Sequence, residues 1–322
     1  MPDENREVMN ARRFFNPARR QDVSNGGEGQ PDRNDGQVYV YFDEDIVLAV
    51  NIALATKRPL LLSGPSGCGK STLARNIALT LGRRYYEHVV TARTEARDLL
   101  YRFDAVHRLN DAQVGSESMP PIEKYIVPGA LWWALSPETA AERGSKAGLA
   151  KAYRAADPSR GTSSSDAVVL IDEIDKADPD VPNGLLVPLG SFRFTVAESN
   201  AEVASDREPL IVITNNGERE LPEAFTRRCV ALTVPSPTEE QLIEIARAVL
   251  PQAERYEGIL GPLARRLIAL AAESAYAQRY STAEYLDAVR ACSLLGITDE
   301  ANPHFAMLLQ ITLRKPQVWA GD

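Results

Sequence analysis

The sequence predicts an α/β fold, with a parallel five-stranded sheet flanked by helices and a smaller all-helical region behind it. Three observations carry that prediction. A glycine-rich loop, residues 64–72, is entered by the apolar run Pro59 to Leu62 and left by a helical pattern of Leu73, Ile77 and Leu81. A second run, Val168-Val169-Leu170-Ile171, is apolar at every position and ends in Asp172-Glu173, as a strand covered on both faces does. Past Pro235-Ser236-Pro237 the strand signals stop and helical periodicity alone remains.

The first ordered element is a helix with Ile46, Val47, Val50 and Leu54 at helical spacing, capped by Asp43 or Asp45 and ending before Pro59. Order is expected to begin near Val38-Tyr39-Val40-Tyr41. The preceding residues, 1–36, are rich in Asn, Asp, Gly, Gln and Arg and are expected to form a disordered tail. The first strand follows Pro59 and delivers the chain into the loop.

That loop, Gly64-Pro65-Ser66-Gly67-Cys68-Gly69-Lys70-Ser71-Thr72, has two glycines five positions apart followed by Lys and Ser, the spacing of a phosphate-binding loop. Gly64, Gly67 and Gly69 let the backbone take conformations a side chain obstructs, so that successive N–H groups face phosphate oxygens. The helix that follows adds the positive end of its dipole. Lys70 reaches the outer phosphates, and the Ser71 hydroxyl takes a place on Mg²⁺.

Tyr85 to Thr91 reads as the second strand. A long passage, 93–131, leads to Trp132 and Trp133, which are expected in the core. Residues 137–165, rich in Ala, Gly and Ser, are expected to be an insertion or flexible link. The Val168 to Ile171 strand then places two carboxylates at its C-terminal end, where α/β proteins hold ligands. Asp172 suits the Mg²⁺ water shell and Glu173 suits a general base that deprotonates an attacking water.

Phe192 to Val196 and Ala201 to Val203 read as a hairpin turning at Glu198-Ser199-Asn200. Leu210 to Thr214 is a further buried strand, ending in Asn215-Asn216-Gly217, and Val230 to Val234 is the fifth. Behind them come helices with Leu242, Ala246 and Val249 on one face, then about 262–278, 282–295, and one opened by Pro303 carrying Phe305, Leu308, Leu309 and Leu313.

Bulk properties narrow the function classes. An apolar share of 44% with 25% charged residues over 322 positions is that of a globular chain with a full core. A net charge of −8 argues against a broad nucleic-acid-binding face and leaves room only for a local basic groove. Cys68, Cys229 and Cys292 have no metal or redox spacing, which suits a reducing compartment. The N-terminus lacks the apolar core of a signal peptide, and no run approaches the ~20 apolar residues of a membrane span. A cytoplasmic protein without membrane insertion is expected.

With the phosphate loop, the Asp172-Glu173 strand end, Thr214-Asn215-Asn216 and Arg227-Arg228 in this order, the chain resembles the AAA+ ATPases. More narrowly, 51–65, Ile171 to Asp178 and Thr214 to Cys229 are similar to the wording of the MoxR-type group. The resemblance covers roughly residues 38–296. It implies an α/β nucleotide-binding domain at 37–236, a helical lid at 237–300, and a C-terminal helix and tail at 301–322. It implies ATP and Mg as cofactors and a strand order of five, one, four, three, two.

Site roles follow from the same resemblance. Asn216 matches the sensor that holds the attacking water, since its spacing to Leu221-Pro222 fits better than that of Asn215. Arg228 matches the finger that enters a neighbouring subunit's site. The family further implies a homo-oligomeric ring of six subunits, with inserts around 98–131 and 192–203 facing a central pore. Its partner would be a protein substrate or a protein bearing a von Willebrand A domain. A second sensor arginine is absent at Ser281-Thr282-Ala283-Glu284, where Arg279 or Arg290 would have to substitute.

The resulting expectation is a Mg-ATPase that remodels or assembles a protein partner, with Lys70, Glu173, Asn216 and Arg228 as its catalytic residues. A slow nucleotide-dependent assembly switch and a nucleic-acid translocase are the alternatives. Cys68, inside a nest of N–H dipoles, is a candidate for a lowered thiol pKa and hence for selective alkylation, or else a buried unreactive thiol.

Overall fold

Among the described residues nine strands form in chain order: β1 Leu60–Ser63, β2 Arg84–Val89, β3 Tyr101–Phe103, β4 Ile126–Pro128, β5 Ala167–Asp172, β6 Arg193–Val196, β7 Ala201–Ala204, β8 Leu210–Asn215 and β9 Val230–Thr233. The computed structural model describes residues 15–17, 43–113, 120–146, 166–205, 207–250, 253–272 and 281–312. Five of the strands make one sheet in the order β2-β5-β8-β1-β9, which is the expected order. The pairs β1/β8, β5/β8 and β2/β5 run parallel. Val168, Val169, Leu170 and Ile171 are all 0% exposed, so β5 is covered on both faces, as its unbroken apolar run requires.

The described chain divides into two compact units. The first takes in Asp43–Ser63 and Leu73–Leu232 and holds the sheet; the second takes in Gly64–Thr72 and the chain from Thr233 onward.

In the first unit, helix α1, Glu44–Thr56, starts at Asp43, whose carboxylate accepts from the Ile46 backbone N–H at 2.8 Å. Asp43 rather than Asp45 is therefore the cap. Helix α2, Lys70–Leu81, leaves the glycine-rich loop, and its Leu73, Ala74, Ile77 and Ala78 are buried. The passage from 93 holds more structure than its sequence shows. Helix α3, Ala96–Leu100, runs into β3, and α4, Ala105–Gln113, follows; β4 then returns antiparallel to β3. Helix α5, Ala130–Leu135, is buried along its whole length, with Trp132 and Trp133 at 2% and 8% exposure, as expected of core residues.

The hairpin expected around residue 198 is present as β6 and β7, paired antiparallel. An aromatic cluster ties it to the β3–β4 hairpin. Phe194 stacks on Tyr101 at 6.2 Å and meets Trp132 edge-on at 5.6 Å, and the Tyr101 hydroxyl accepts from the Ala197 N–H at 2.9 Å. Both excursions from the sheet thus share one apolar anchor.

Residues 137–165, expected to be an insertion or flexible link, open with a helix of 10 residues, α6, Pro137–Lys146. Pro137 occupies the first helical position, where its missing N–H costs nothing, Ala140 is fully buried, and Glu138 pairs with Arg207 at 2.7 Å. Residues 147–165 lie outside the described residues. The tail 1–36 also lies outside them, apart from 15–17, where Phe15 is 0% exposed. Asn51 on α1 clamps it: its amide accepts from Phe15 N–H and donates to Phe15 C=O, both at 3.0 Å, and donates to Val47 C=O at 2.7 Å. Val38 to Tyr41, where order was expected to begin, are outside the described residues.

This clamp makes a stability prediction. Replacing Asn51 by Ala removes both hydrogen bonds that its amide makes to the Phe15 backbone, so the urea midpoint should fall by an amount equivalent to about 1–3 kcal/mol. Asn51→Asp, which keeps the acceptor and loses the donor, should lie between wild type and Asn51→Ala.

In the second unit, α7, Glu239–Val249, opens with a capping box between Thr238 and Gln241. It is followed by α8, Glu257–Ala272, α9, Thr282–Leu295, and α10, Phe305–Thr312. Leu242, Ala246, Ile259, Leu263, Tyr285 and Val289 are among the residues of its core. The Tyr285 hydroxyl satisfies the Leu260 carbonyl at 3.1 Å. Pro303 precedes α10 in a turn instead of opening it, and Leu313 lies outside the described residues. No helix among the described residues is long and apolar enough to cross a membrane.

Candidate functional site

The glycine-rich loop leaves β1 at Ser63, and the register of the sheet puts Ser63 beside Asn215. The C-terminal ends of β1 and β8 therefore share one edge. In the same direction β5 delivers Asp172, paired with Val89 of β2. The carboxylates and the Asn215-Asn216 turn thus lie at the end of the sheet where parallel α/β folds bind ligands, the same end at which Ser63 closes β1.

Within the loop, two glycines are dictated by space. A Cβ on Gly67, whose φ is 78°, would sit 1.9 Å from the Ser281 Cβ, and one on Gly64 would sit 2.2 Å from the Val234 carbonyl oxygen. The loop is therefore a cradle that side chains would fill. The Lys70 ammonium is folded over it, donating to the carbonyls of Gly64 at 2.7 Å and Pro65 at 2.8 Å, and the residue is only 5% exposed. A cation held at the mouth of a ring of glycines by neutral acceptors is arranged to favour an anion. The N-terminus of α9 lies against the same loop, with Thr282 N–H donating to Gly67 C=O at 3.3 Å.

At the end of β5 a separate network fixes the carboxylates. Thr214, fully buried on β8, donates its hydroxyl hydrogen to Asp172 Oδ1 at 2.5 Å and accepts from the Glu173 N–H at 2.7 Å. Glu173 itself sits in the left-handed region, φ 60° and ψ 49°, a conformation that costs a non-glycine residue about 1–2 kcal/mol. The Thr214 bond helps to hold it there and turns the side chain away from the strand direction. Both Glu173 carboxylate oxygens are engaged: Asn216 Nδ2 donates to Oε1 at 3.2 Å and Lys176 Nζ to Oε2 at 2.5 Å. The hydrogen bond that Lys176 donates to Glu173 raises the pKa of Lys176 above its ordinary value.

The structure thus brings Asp172, Glu173 and Asn216 together. Asn215, the rejected alternative, spends its side-chain oxygen on the Gly217 N–H at 2.8 Å. Asp175, 2% exposed, anchors the Asn216 turn by accepting from the N–H groups of Asn216 and Glu218 at 3.1 and 2.9 Å. Sequence reasoning assigned no role to Thr214, Asp175 or Lys176. Their signal was present only as polar residues inside or just behind otherwise apolar strands, a pattern that becomes specific once the pairing of β5 with β8 is known.

Arg227 and Arg228 follow a helical turn, Glu223–Thr226. The first pairs with Glu223 at 2.5 Å. The second is exposed, and among the described residues no carboxylate pairs with it. Of the candidates for a second sensor, Arg290 is engaged by Asp287 at 3.2 Å and Arg279 lies outside the described residues.

Of the two readings of Cys68, the acidic thiol is not the one found. Burial pushes its pKa up, and the opposing charge and hydrogen bond of Lys70, whose Nζ lies 3.8 Å from Sγ, do not offset it. Desolvation of a thiolate outweighs the loop dipoles here. Iodoacetamide should therefore modify Cys68 more slowly than free cysteine at neutral pH, with a rate that keeps climbing into the alkaline range, as peptide mapping of the alkylated protein would show.

The family described as AAA domain (dynein-related subfamily) matches residues 59–243, more than half of the chain. No curated protein matches it.

Proposed function

Because the chain belongs to the AAA domain family, dynein-related subfamily, we propose that it is an oligomeric Mg-ATPase that remodels or assembles a protein partner. The observation that carries this reading is the strand-end network: Glu173, held off its strand by Thr214, has its carboxylate oriented by Asn216 and Lys176. A carboxylate aimed in this way suits a general base for water attacking a γ-phosphate.

In this reading the loop 64–72 binds the phosphates of ATP through its backbone N–H groups, Lys70 neutralises their charge, and the helical unit acts as a lid. Ser71 and Asp172 would hold Mg²⁺, and their hard oxygen donors fit that ion. When bound, Mg²⁺ supplies positive charge to the phosphate oxygens. Glu173 takes the proton of the attacking water, Asn216 positions that water, and Arg228 from a neighbouring subunit stabilises charge on the transferred phosphoryl group.

The finer features are likewise our proposal. The wording of 51–65, 171–178 and 214–229 supports a MoxR-type protein, hence a six-membered ring. In such a ring the β3–β4 and β6–β7 hairpins would face the pore, with a von Willebrand A domain protein as partner. The cytoplasm is the proposed location. The net charge of −8 disfavours the nucleic-acid translocase.

The test is the mass of Glu173→Gln protein measured with and without Mg-ATP. The reading expects a discrete ring that nucleotide stabilises. A monomer at every nucleotide concentration would overturn the oligomeric reading, and failure of ATP to bind would overturn the whole.

A further inference from the structure

We propose that Arg58 is the residue that positions Arg228, a conclusion that rests on Arg228 acting in a neighbouring subunit. Arg58 lies between α1 and β1, about 170 residues away in sequence from the segment it holds. Its guanidinium donates to three consecutive carbonyls: Nη2 to Arg227 at 2.6 Å and to Cys229 at 2.7 Å, and Nε to Arg228 at 3.1 Å.

The geometry of those bonds is what assigns the role. The Arg227 carbonyl belongs to the peptide plane that enters Arg228, and the Arg228 carbonyl belongs to the plane that leaves it. Fixing both planes fixes the two backbone dihedrals of Arg228, and with them the direction in which its side chain departs. Neighbouring contacts brace the same turn. Arg228 N–H donates to Phe225 C=O and Cys229 N–H to Thr226 C=O, each at 3.0 Å, while Val230 N–H donates to Pro59 C=O at 2.8 Å. Phe225 and Cys229 are buried on either side, at 1% and 5% exposure. Arg228 is thus an exposed residue of a braced turn, and among the described residues no carboxylate pairs with its charge.

One planar fork makes all three bonds, so a lysine ammonium with its single point of donation does not replace it. Arg58 also lies two residues before the start of β1, so the turn that carries Arg228 is tied to the strand that delivers the phosphate loop. Misaiming a stabilising charge by about 1 Å is enough to cost on the order of 10²-fold in rate. Arg58 touches no reacting atom in this scheme; its effect passes through Arg228.

The experiment is subunit mixing. Arg58→Ala, Arg58→Lys and Arg228→Ala proteins are each assayed alone and in excess Glu173→Gln protein, which supplies intact arginines but no base. Arg58→Ala alone should bind ATP normally and turn it over on the order of 10²-fold more slowly. Mixing should restore its turnover, because its intact sites then receive Arg228 from Glu173→Gln neighbours. Adding Arg58→Ala to Arg228→Ala should cause no further loss.

Rescue of Arg228→Ala without rescue of either Arg58 variant would overturn the proposal and leave a role confined to the subunit's own stability. Full activity of both Arg58 variants alone would overturn it as well. If Arg228→Ala is not rescued, the trans-acting role of Arg228 fails, and this proposal fails with it. Should Arg58→Ala not fold, Arg58→Lys, which keeps the charge and loses the fork, carries the same test.

Discussion

Glu173→Gln should lower ATP turnover by about 10²–10⁴-fold, the usual contribution of a positioned general base, while ATP affinity stays near that of wild type. The amide is isosteric and its oxygen can still accept from Asn216, but it cannot take a proton from water. Nothing in the backbone asks for the carboxylate: the left-handed turn is held by the Glu173 N–H bond to Thr214, which the substitution leaves alone. The ion pair with Lys176 is lost. That side chain is 39% exposed and can turn to solvent, so the fold should lose only about 0–1 kcal/mol. Phosphate release in a single turnover, measured beside equilibrium binding of a fluorescent ATP analogue, separates the two effects. Turnover within a few-fold of wild type would remove Glu173 as the base, whereas parallel loss of binding would make it a structural residue.

The same network shows which parts of the molecule can be read from sequence. The phosphate loop is legible because its chemistry is local: glycine spacing, a lysine and a hydroxyl within nine positions specify a backbone shape, and Gly67 against Ser281 shows why the shape admits no side chain. The end of β5 is legible for a related reason, since an apolar run that stops at two acids marks both a buried strand and its exit. The order of the sheet's strands was legible only through family resemblance.

What escaped the sequence is non-local. The β3–β4 pairing joins Tyr101 to Pro128 across a passage with no short turn signal. The Arg58 bonds span about 170 residues, and a guanidinium bound to carbonyls has no partner residue type to search for. Phe15 falls in a polar stretch whose composition alone argues for disorder, and only the Asn51 amide reveals that its backbone is satisfied. Cys68 was left between two readings for a different reason. The loop dipoles do lower its pKa, as does Lys70, which the sequence reading did not invoke, but burial, which depends on the whole fold, is the larger influence.

Arg228→Ala should reduce turnover by about 10³–10⁵-fold, the range for an arginine that stabilises a transferred phosphoryl group from outside the nucleotide-binding subunit. Arg227 supplies the internal control. It lies next in sequence and is equally cationic, but it is paired with Glu223 on the surface, both side chains being 75% exposed. Its removal should therefore alter stability by about 0–1 kcal/mol and leave turnover nearly unchanged. A general loss of positive charge on this turn would slow both variants alike; a specific role slows only one. Wild-type activity per subunit should rise with protein concentration as neighbours assemble, and Arg228→Ala activity should stay low at every concentration although ATP still binds. If instead the two variants lose activity equally, or Arg228→Ala is impaired to the same degree in binding and turnover, the guanidinium acts through its own subunit and the chemistry proposed between subunits does not occur at this residue.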